Sequence, residues 1–418
     1  MPDTTTIFHR YLNAPSIFKK DREILRPSYL PKNLPHRENE IEQLASVMST
    51  AMRGGRPSNV IIFGKTGTGK TAVIKYLARE VKKTEELIEK EVFDMPDMAF
   101  IYLNCEIVNT PYGILQNIGN RFIEDFSNMI PFTGWPTEKV YNMLVSKLDE
   151  KAKIVIVVLD EIDKLVYNSG DDVLYYLAKI NDDMKSSKLS IIGISNDLKF
   201  MEFLDPRVRS RLSEEKMVFP PYNASELRDI LDERVRLAFN PDTVEEGVTS
   251  VCAALAAQEH GDARRALDLL RVAGEIAERS ESKIVRAEHV YKAKNKIELD
   301  CIAETIKTLP LQSKLVLMSI LLHEEEGRNR LTTGEVYSAY AELCSATGTN
   351  VLTQRRITDL ISELDMLGII NAKVKSFGRG GRTKEIQSSV PMNEAKRILM
   401  QDEDIRDIGD YRLKQTYL

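Results

Sequence analysis

Asn59-Val-Ile-Ile-Phe63 runs directly into Gly64-Lys-Thr-Gly-Thr-Gly-Lys-Thr71, and a helical pattern starts at Lys70 and continues to about Val81. The octapeptide fills every fixed position of G-x-x-x-x-G-K-[ST], between a short apolar β-branched run and a helix, which is the context that motif requires. Glycines let successive backbone N–H groups converge on phosphate oxygens, and the start of the helix adds a positive field. Thr66, Gly67, Thr68, Gly69, Lys70, Thr71 and Ala72 are therefore the candidate phosphate cradle of an ATP or ADP site. Lys70 is placed to reach the β- and γ-phosphates and Thr71 to hold Mg²⁺. A Gly-rich turn without a ligand is the plain alternative, and the complete octapeptide in its context argues against it.

Three further apolar runs, Ala99 to Leu103, Ile154 to Leu159 and Leu189 to Ser195, lack polar alternation. Strands covered on both faces of a parallel sheet read this way, so the first region is an α/β fold. Ile154-Val-Ile-Val-Val-Leu-Asp-Glu161 delivers two acids at a strand end. Asp160 suits the Mg²⁺ shell and Glu161 suits activation of water, or the pair simply caps the helix that follows. Ser195-Asn196 closes the last run. Asn196 could orient a water near a γ-phosphate, although an Asn in a turn is common. Arg207, Arg209 and Arg211 alternate in Leu204 to Leu212. They are either guanidinium groups that stabilise phosphoryl charge or a solvated basic stretch. Arg264 opens a later helix and is either a cleft residue or an exposed partner of Asp268.

The 418 residues exceed one ordinary core and predict two or three domains. The hydrophobic fraction of 43% and charged fraction of 29% exclude a wholly disordered or fibrous chain. No run approaches the roughly 18 apolar residues of a bilayer span, and Met1 to Arg10 lacks the apolar core of a secretory signal. Cys105, Cys252, Cys301 and Cys344 form no CxxC pair, which predicts idle thiols in a reducing compartment. The net charge of −5 excludes a globally basic nucleic-acid coat, not a local basic patch.

The α/β region ends near Pro220-Pro221, and Ser225 to about Asn295 reads as helical throughout. Boundaries follow at 1–224, 225–304 and 305–418. The last region carries a helix at Leu315 to Leu322, a capping box at Thr332-Thr-Gly-Glu335, and a helix from Thr353 to Leu367 stopped by Gly368. Two strands then flank Gly378-Arg-Gly-Gly381, completing the winged form of a helix-turn-helix. Gln354, Arg355, Arg356 and Thr358 open the third helix. Lys373, Lys375, Arg379, Arg382 and Lys384 lie on the wing, with no acid between residues 371 and 384. A recognition helix over base edges with a basic wing on phosphates predicts duplex DNA binding. A protein-binding winged helix with an incidental basic hairpin is the alternative.

Together these stretches resemble the archaeal replication initiators of the origin recognition complex and cell-division-control type, AAA+ ATPases that end in a winged helix. The likeness covers nearly the whole chain. It rests on Tyr29-Leu-Pro-Lys-Asn-Leu-Pro-His-Arg-Glu38, the phosphate loop, Leu159 to Asp163, Ser195 to Asp197, Leu204 to Leu212, Phe219-Pro-Pro-Tyr222, Gly261 to Arg264, and Leu364 to Ile370 with its wing. The resemblance implies that Asn196 and Arg264 are the two sensors and that Tyr222 and Arg234 contact ATP. It also implies that Arg211, with Arg207 competing, acts on a neighbouring subunit. A DNA-contacting insertion is expected around Pro131 to Pro136, where Trp135 could equally be core. The implied protein is an ATP-switched, weakly hydrolysing initiator that binds double-stranded origin DNA. It would help load a replicative hexameric helicase, work beside paralogous initiators, and sit in the cytoplasm on the nucleoid. Alternatives are a signalling or transcriptional ATPase whose winged helix is a regulatory lid, and a clamp-loader-like subunit, disfavoured because those end in a helical collar. The sequence offers no interpretation of residues 1–20.

Overall fold

A computed structural model describes residues 16–19, 21–88, 96–151, 153–328, 330–376, 382–409 and 411–413. The chain folds as two compact units that divide between Ala293 and Lys294.

The first unit opens with α1 (Glu38–Met52), β1 (Val60–Phe63) and α2 (Lys70–Ile88). Then come β2 (Met98–Asn104), α3 (Pro111–Gly119), α4 (Thr137–Lys151), β3 (Ile154–Asp160), α5 (Ile162–Ser169) and α6 (Asp172–Asp183). β4 (Lys188–Ser195), α7 (Pro206–Leu212) and β5 (Glu215–Val218) complete the α/β layers. The five strands are all parallel, in the order β2-β3-β4-β1-β5. Successive residues of β3 feed opposite faces: Val155, Val157 and Leu159 join one apolar cluster while Ile154, Ile156 and Val158 join the other. That two-sided burial is why these runs carry no alternation. β2 departs from the expectation. It is an edge strand with a mixed burial pattern, and Ala99, Phe100, Tyr102 and Asn104 are only half-buried. β5 carries no signal in the sequence, because Glu215-Lys-Met-Val218 is an edge strand with one buried residue and no apolar run.

A helical layer follows: α8 (Ala224–Ala238), α9 (Val248–Gln258), α10 (Ala263–Arg279) and α11 (Ala287–Thr308). α8 starts on a capping box between Asn223 and Glu226. Residues 16–19 and the turn Glu23–Leu25 pack on this layer. Ile17 and Phe18 are buried, Phe18 lies 4.7 Å from Phe239 between ring centroids, and Arg22 pairs with Glu278 at 2.8 Å. Burying two such side chains is worth about 1.5–3 kcal/mol each. An N-terminal strap therefore belongs to the helical layer, although the sequence groups it with residues 1–224. α11 is unbroken through both the division after Ala293 and the expected boundary at 304.

Between α3 and α4 lies a turn-rich stretch with one 3-10 turn, Phe126–Asn128. Trp135 packs against the main core there, under the Lys139 ammonium at 3.9 Å from the ring, while Phe132 is 85% exposed.

The second unit holds α12 (Leu311–Glu325), β6 (Leu331–Thr332), α13 (Thr333–Thr347), α14 (Gln354–Met366), β7 (Ile370–Ser376), β8 (Arg382–Ser388) and α15 (Met392–Leu399). Its three strands run in the order β6-β8-β7. The expected capping box forms, with Glu335 N donating to Thr332 Oγ1 and Thr332 N donating to Glu335 Oε2. Gly368 stops α14 at a φ of +72°. β6 and α15 add to the three helices and hairpin read from sequence. Ile357, Leu360, Ile361 and Leu364 bury one face of α14 and leave Gln354, Arg355 and Arg356 exposed. Among the described residues no helix is long and apolar enough to cross a membrane.

Candidate functional site

The strand order builds the site. β4 lies between β1 and β3, so Asn196 after β4 comes between the phosphate loop after β1 and the acids after β3. Carboxyl ends of parallel strands at such a crossover are where α/β sheets bind ligands. The cavity there encloses about 550 Å³. Its walls include Thr66, Gly67, Thr68, Gly69, Lys70, Thr71 and Ala72, with Asp160, Glu161 and Asn196 at the strand ends, Tyr222 just before the helical layer, and Arg234 and Arg264 within it.

Thr71 Oγ1 donates to Asp160 Oδ2 at 2.7 Å. The Lys70 ammonium is buried and donates to the carbonyls of Gly64 and Lys65 at 2.7 Å each and to Asn196 Oδ1 at 2.9 Å. Among the described residues no carboxylate forms an ion pair with it, and burial lowers its pKa to about 8. Arg234 Nη1 is buried without a hydrogen-bond partner among the described residues. Burial also lowers the pKa of that guanidinium. Two buried cations short of anionic partners suit a polyphosphate. The hydroxyl of Thr71 and the carboxylate of Asp160 are hard oxygen donors of the kind Mg²⁺ takes together with phosphate oxygens. These residues fit both groups.

Glu161 occupies the left-handed region, at φ 58° and ψ 43°, at the residue before α5, and its side chain makes no capping hydrogen bond to that helix. A non-glycine residue there costs about 1–3 kcal/mol, a strain that recurs at functional sites. Burial, and then the adjoining Glu106 carboxyl, push its pKa up. From the helical layer, Ala263 N donates to Gly67 O at 3.2 Å and Asp262 caps α10. A Cβ on Gly67 would meet Asp262 Oδ1 at 1.7 Å, so only glycine lets loop and helical layer touch. Arg264 is exposed on the cavity wall and Asp268 pairs instead with Arg271 at 3.0 Å, so the alternative pairing of Arg264 with Asp268 is not formed.

Arg207 and Arg211 do not line the cavity. Arg207 pairs with Asp205 at 3.1 Å and Arg211 with Asp182 at 2.9 Å, both at the surface.

Sequence reasoning missed three contributors. Arg37 is buried, donates to Thr68 O at 2.9 Å and Pro220 O at 2.7 Å, and stacks 3.8 Å over Tyr222. Residues between Pro27 and Pro35 form one rim, with Tyr29 under the Arg234 guanidinium at 4.7 Å. Tyr102 hydrogen-bonds Asp160. Tyr29 and Arg37 lie in the stretch Tyr29 to Glu38 that carries the family resemblance, and Tyr102 in the apolar run Ala99 to Leu103, but neither setting signals a place in the site.

The chain matches three family descriptions: "AAA ATPase domain" over residues 33–192, "Cdc6 AAA+ ATPase-type lid domain" over 228–295, and "CDC6, C terminal winged helix domain" over 304–397. It is 54% identical over 403 residues to an ORC1-type DNA replication protein of Thermococcus onnurineus, covering 96% of this chain and 95% of that one. The chain belongs to the ORC1-type DNA replication proteins. A Pyrococcus abyssi member is 53% identical over 408 residues, covering 98% of this chain and 96% of that one. The solved Aeropyrum pernix ORC1 protein in complex with DNA is 44% identical, with a TM-score of 0.79 over 94% of this chain and 100% of that one. As a replication initiator with an AAA+ core, helical lid and winged helix, the protein has the expected fold and class, and the regulatory-lid alternative is not favoured.

In the second unit the expected DNA-facing residues divide. Arg356 pairs with Glu363 at 3.3 Å, and the Thr358 hydroxyl is committed to Gln354 O at 3.0 Å. Lys375 bonds Glu385 at 2.9 Å, and Lys384 donates to Ser362 Oγ. Glu385 faces Lys373 across the hairpin, one residue beyond the acid-free window read from sequence. Arg379 lies outside the described residues; Arg382 is in β8.

Proposed function

We propose that this protein is an ATP-switched initiator that binds origin DNA and hydrolyses ATP slowly. One observation carries the reading: Lys70, Thr71, Asp160 and Asn196 from the core meet Arg264 from the lid around one cavity that holds buried cations and hard oxygen donors. Lys70 holds β- and γ-phosphate oxygens. Thr71 and Asp160 would hold Mg²⁺, which supplies neutralisation of phosphate charge when bound. Asn196 orients the attacking water and Glu161 takes its proton. Tyr222 and Arg234 contact the nucleotide, and Arg264 ties lid position to it. Arg211 or Arg207, neither of which lines this chain's own cavity, serves a neighbouring subunit. Domain limits near 224 and 304 separate core, lid and winged helix.

Gln354, Arg355, Arg356 and Thr358 approach base edges, while Lys373, Lys375, Arg379, Arg382 and Lys384 contact phosphates of the duplex. The stretch around Pro131 to Pro136 adds a second DNA contact. The replicative hexameric helicase and paralogous initiators are the partners, on the nucleoid in the cytoplasm. The test is to map the sites the protein occupies across the genome. A few peaks coincident with replication starts support the reading; scattered occupancy, or peaks confined to promoters, sinks it.

A further inference from the structure

Tyr102 stands on β2 opposite Val158 of β3, two residues before Asp160. Neighbouring strands lie about 4.8 Å apart, so a tyrosine leaning along its strand spans to an acid two positions on. Its hydroxyl donates to Asp160 Oδ2 at 2.5 Å, the oxygen that also accepts the Thr71 hydroxyl at 2.7 Å. Asp160 Oδ1 accepts the backbone N–H of Glu161 at 3.0 Å. Three donors thus hold both oxygens of one carboxylate. Its ring forms part of the cavity wall, under the Lys75 ammonium at 4.9 Å. Outer hydrogen bonds of this kind fix the orientation of a metal-binding carboxylate.

We propose that Tyr102 is a positioning residue, whose hydroxyl holds the Asp160 carboxylate against Thr71 and thereby sets how strongly Mg²⁺ supports nucleotide binding. The proposal rests on the nucleotide reading above. The test uses the full chain and fluorescently labelled ADP, titrated with Mg²⁺ and, separately, in EDTA. Tyr102→Phe removes one oxygen and keeps the ring. It should raise the Mg²⁺ midpoint about tenfold and lower the Mg²⁺-to-EDTA affinity ratio by a similar factor, within the 10–100-fold range for loss of such outer bonds. High Mg²⁺ should then restore binding. Tyr102→Leu, which removes the ring as well, should move the midpoint equally. A midpoint within twofold of wild type in Tyr102→Phe overturns the proposal, as does a shift seen only in Tyr102→Leu, which would mean packing alone. Wild-type protein that binds labelled ADP in neither condition overturns the nucleotide reading beneath it.

Discussion

Asn196 Oδ1 accepts a 2.9 Å hydrogen bond from the Lys70 ammonium, although 126 residues separate them. The contact ties the end of β4 to the phosphate loop. It leaves the ammonium among neutral acceptors, two carbonyls and one amide, in a buried place where an anion would complete it. Lys70→Ala should therefore weaken ADP binding by about 100-fold to 10,000-fold, the equivalent of two charge-assisted hydrogen bonds at about 1.5–3 kcal/mol each. Equilibrium binding of labelled ADP measures it, and a loss below tenfold would count against the assignment.

Burial lowers the Lys70 pKa from 10.5 to about 8. Between these values the unfolded chain binds more protons than the folded one, so this group's contribution to nucleotide-free stability rises with pH across that window. Phosphate favours the ammonium instead. ADP binding should take up a proton near pH 8.5 and weaken as pH rises through 8. Calorimetry in two buffers of different ionisation enthalpy reads the uptake directly, and equal heats in both would refute it.

Glu161→Gln keeps the shape of the side chain and leaves Asp160 and Thr71 in place. Nucleotide retention should persist while turnover falls by about 10²–10⁴, the usual size of a lost general base. Single-turnover hydrolysis against filter-bound nucleotide separates the two. Wild-type turnover would remove Glu161 from the mechanism.

On the wing, Glu385 holds Lys375 at 2.9 Å and Arg330 at 3.2 Å. Glu385→Gln should release cations toward DNA, tightening duplex binding and steepening the log K against log salt slope by about 0.9 per added phosphate contact. Lys373→Ala with Lys384→Ala should flatten that slope by about 1.8. Anisotropy over a salt series tests both, and unchanged slopes would mean that the hairpin does not touch the phosphates.

Gly274 lies in α10 beneath the N-terminal strap, where an added Cβ would stand 2.4 Å from Phe18 Cζ and 3.1 Å from Phe239 Cε1. Gly to Ala inside a helix ordinarily stabilises by about 1 kcal/mol. Here overpacking, at about 1–3 kcal/mol, opposes and exceeds it. Gly274→Ala should lower the melting temperature, and Phe18→Leu in the same chain should recover part of the loss. A rise in melting temperature for the single variant would show that the strap does not occupy this place.

Local physics was enough for much of this molecule. The phosphate loop, the doubly covered runs of β1, β3 and β4, the Thr332 to Glu335 capping box and the glycine stop at Gly368 each depend on residues a few positions apart, so the sequence alone determined them. What it could not determine depends on neighbours distant in the chain. Strand order puts Asn196 beside Lys70, and no periodicity encodes the order in which parallel strands assemble. β5 was illegible because an edge strand needs no apolar run. Phe18 found Phe239 through burial against helices more than 200 residues away. Tyr102 looks in sequence like one more strand aromatic, and only the pairing of β2 with β3 brings its hydroxyl to Asp160. Glu385 lies just past an acid-free window, and antiparallel pairing alone turns it onto the lysines. Motifs hold their chemistry within a loop or a turn; the partners that tune that chemistry are chosen by the tertiary packing, because burial and hydrogen bonding act through space and not along the chain.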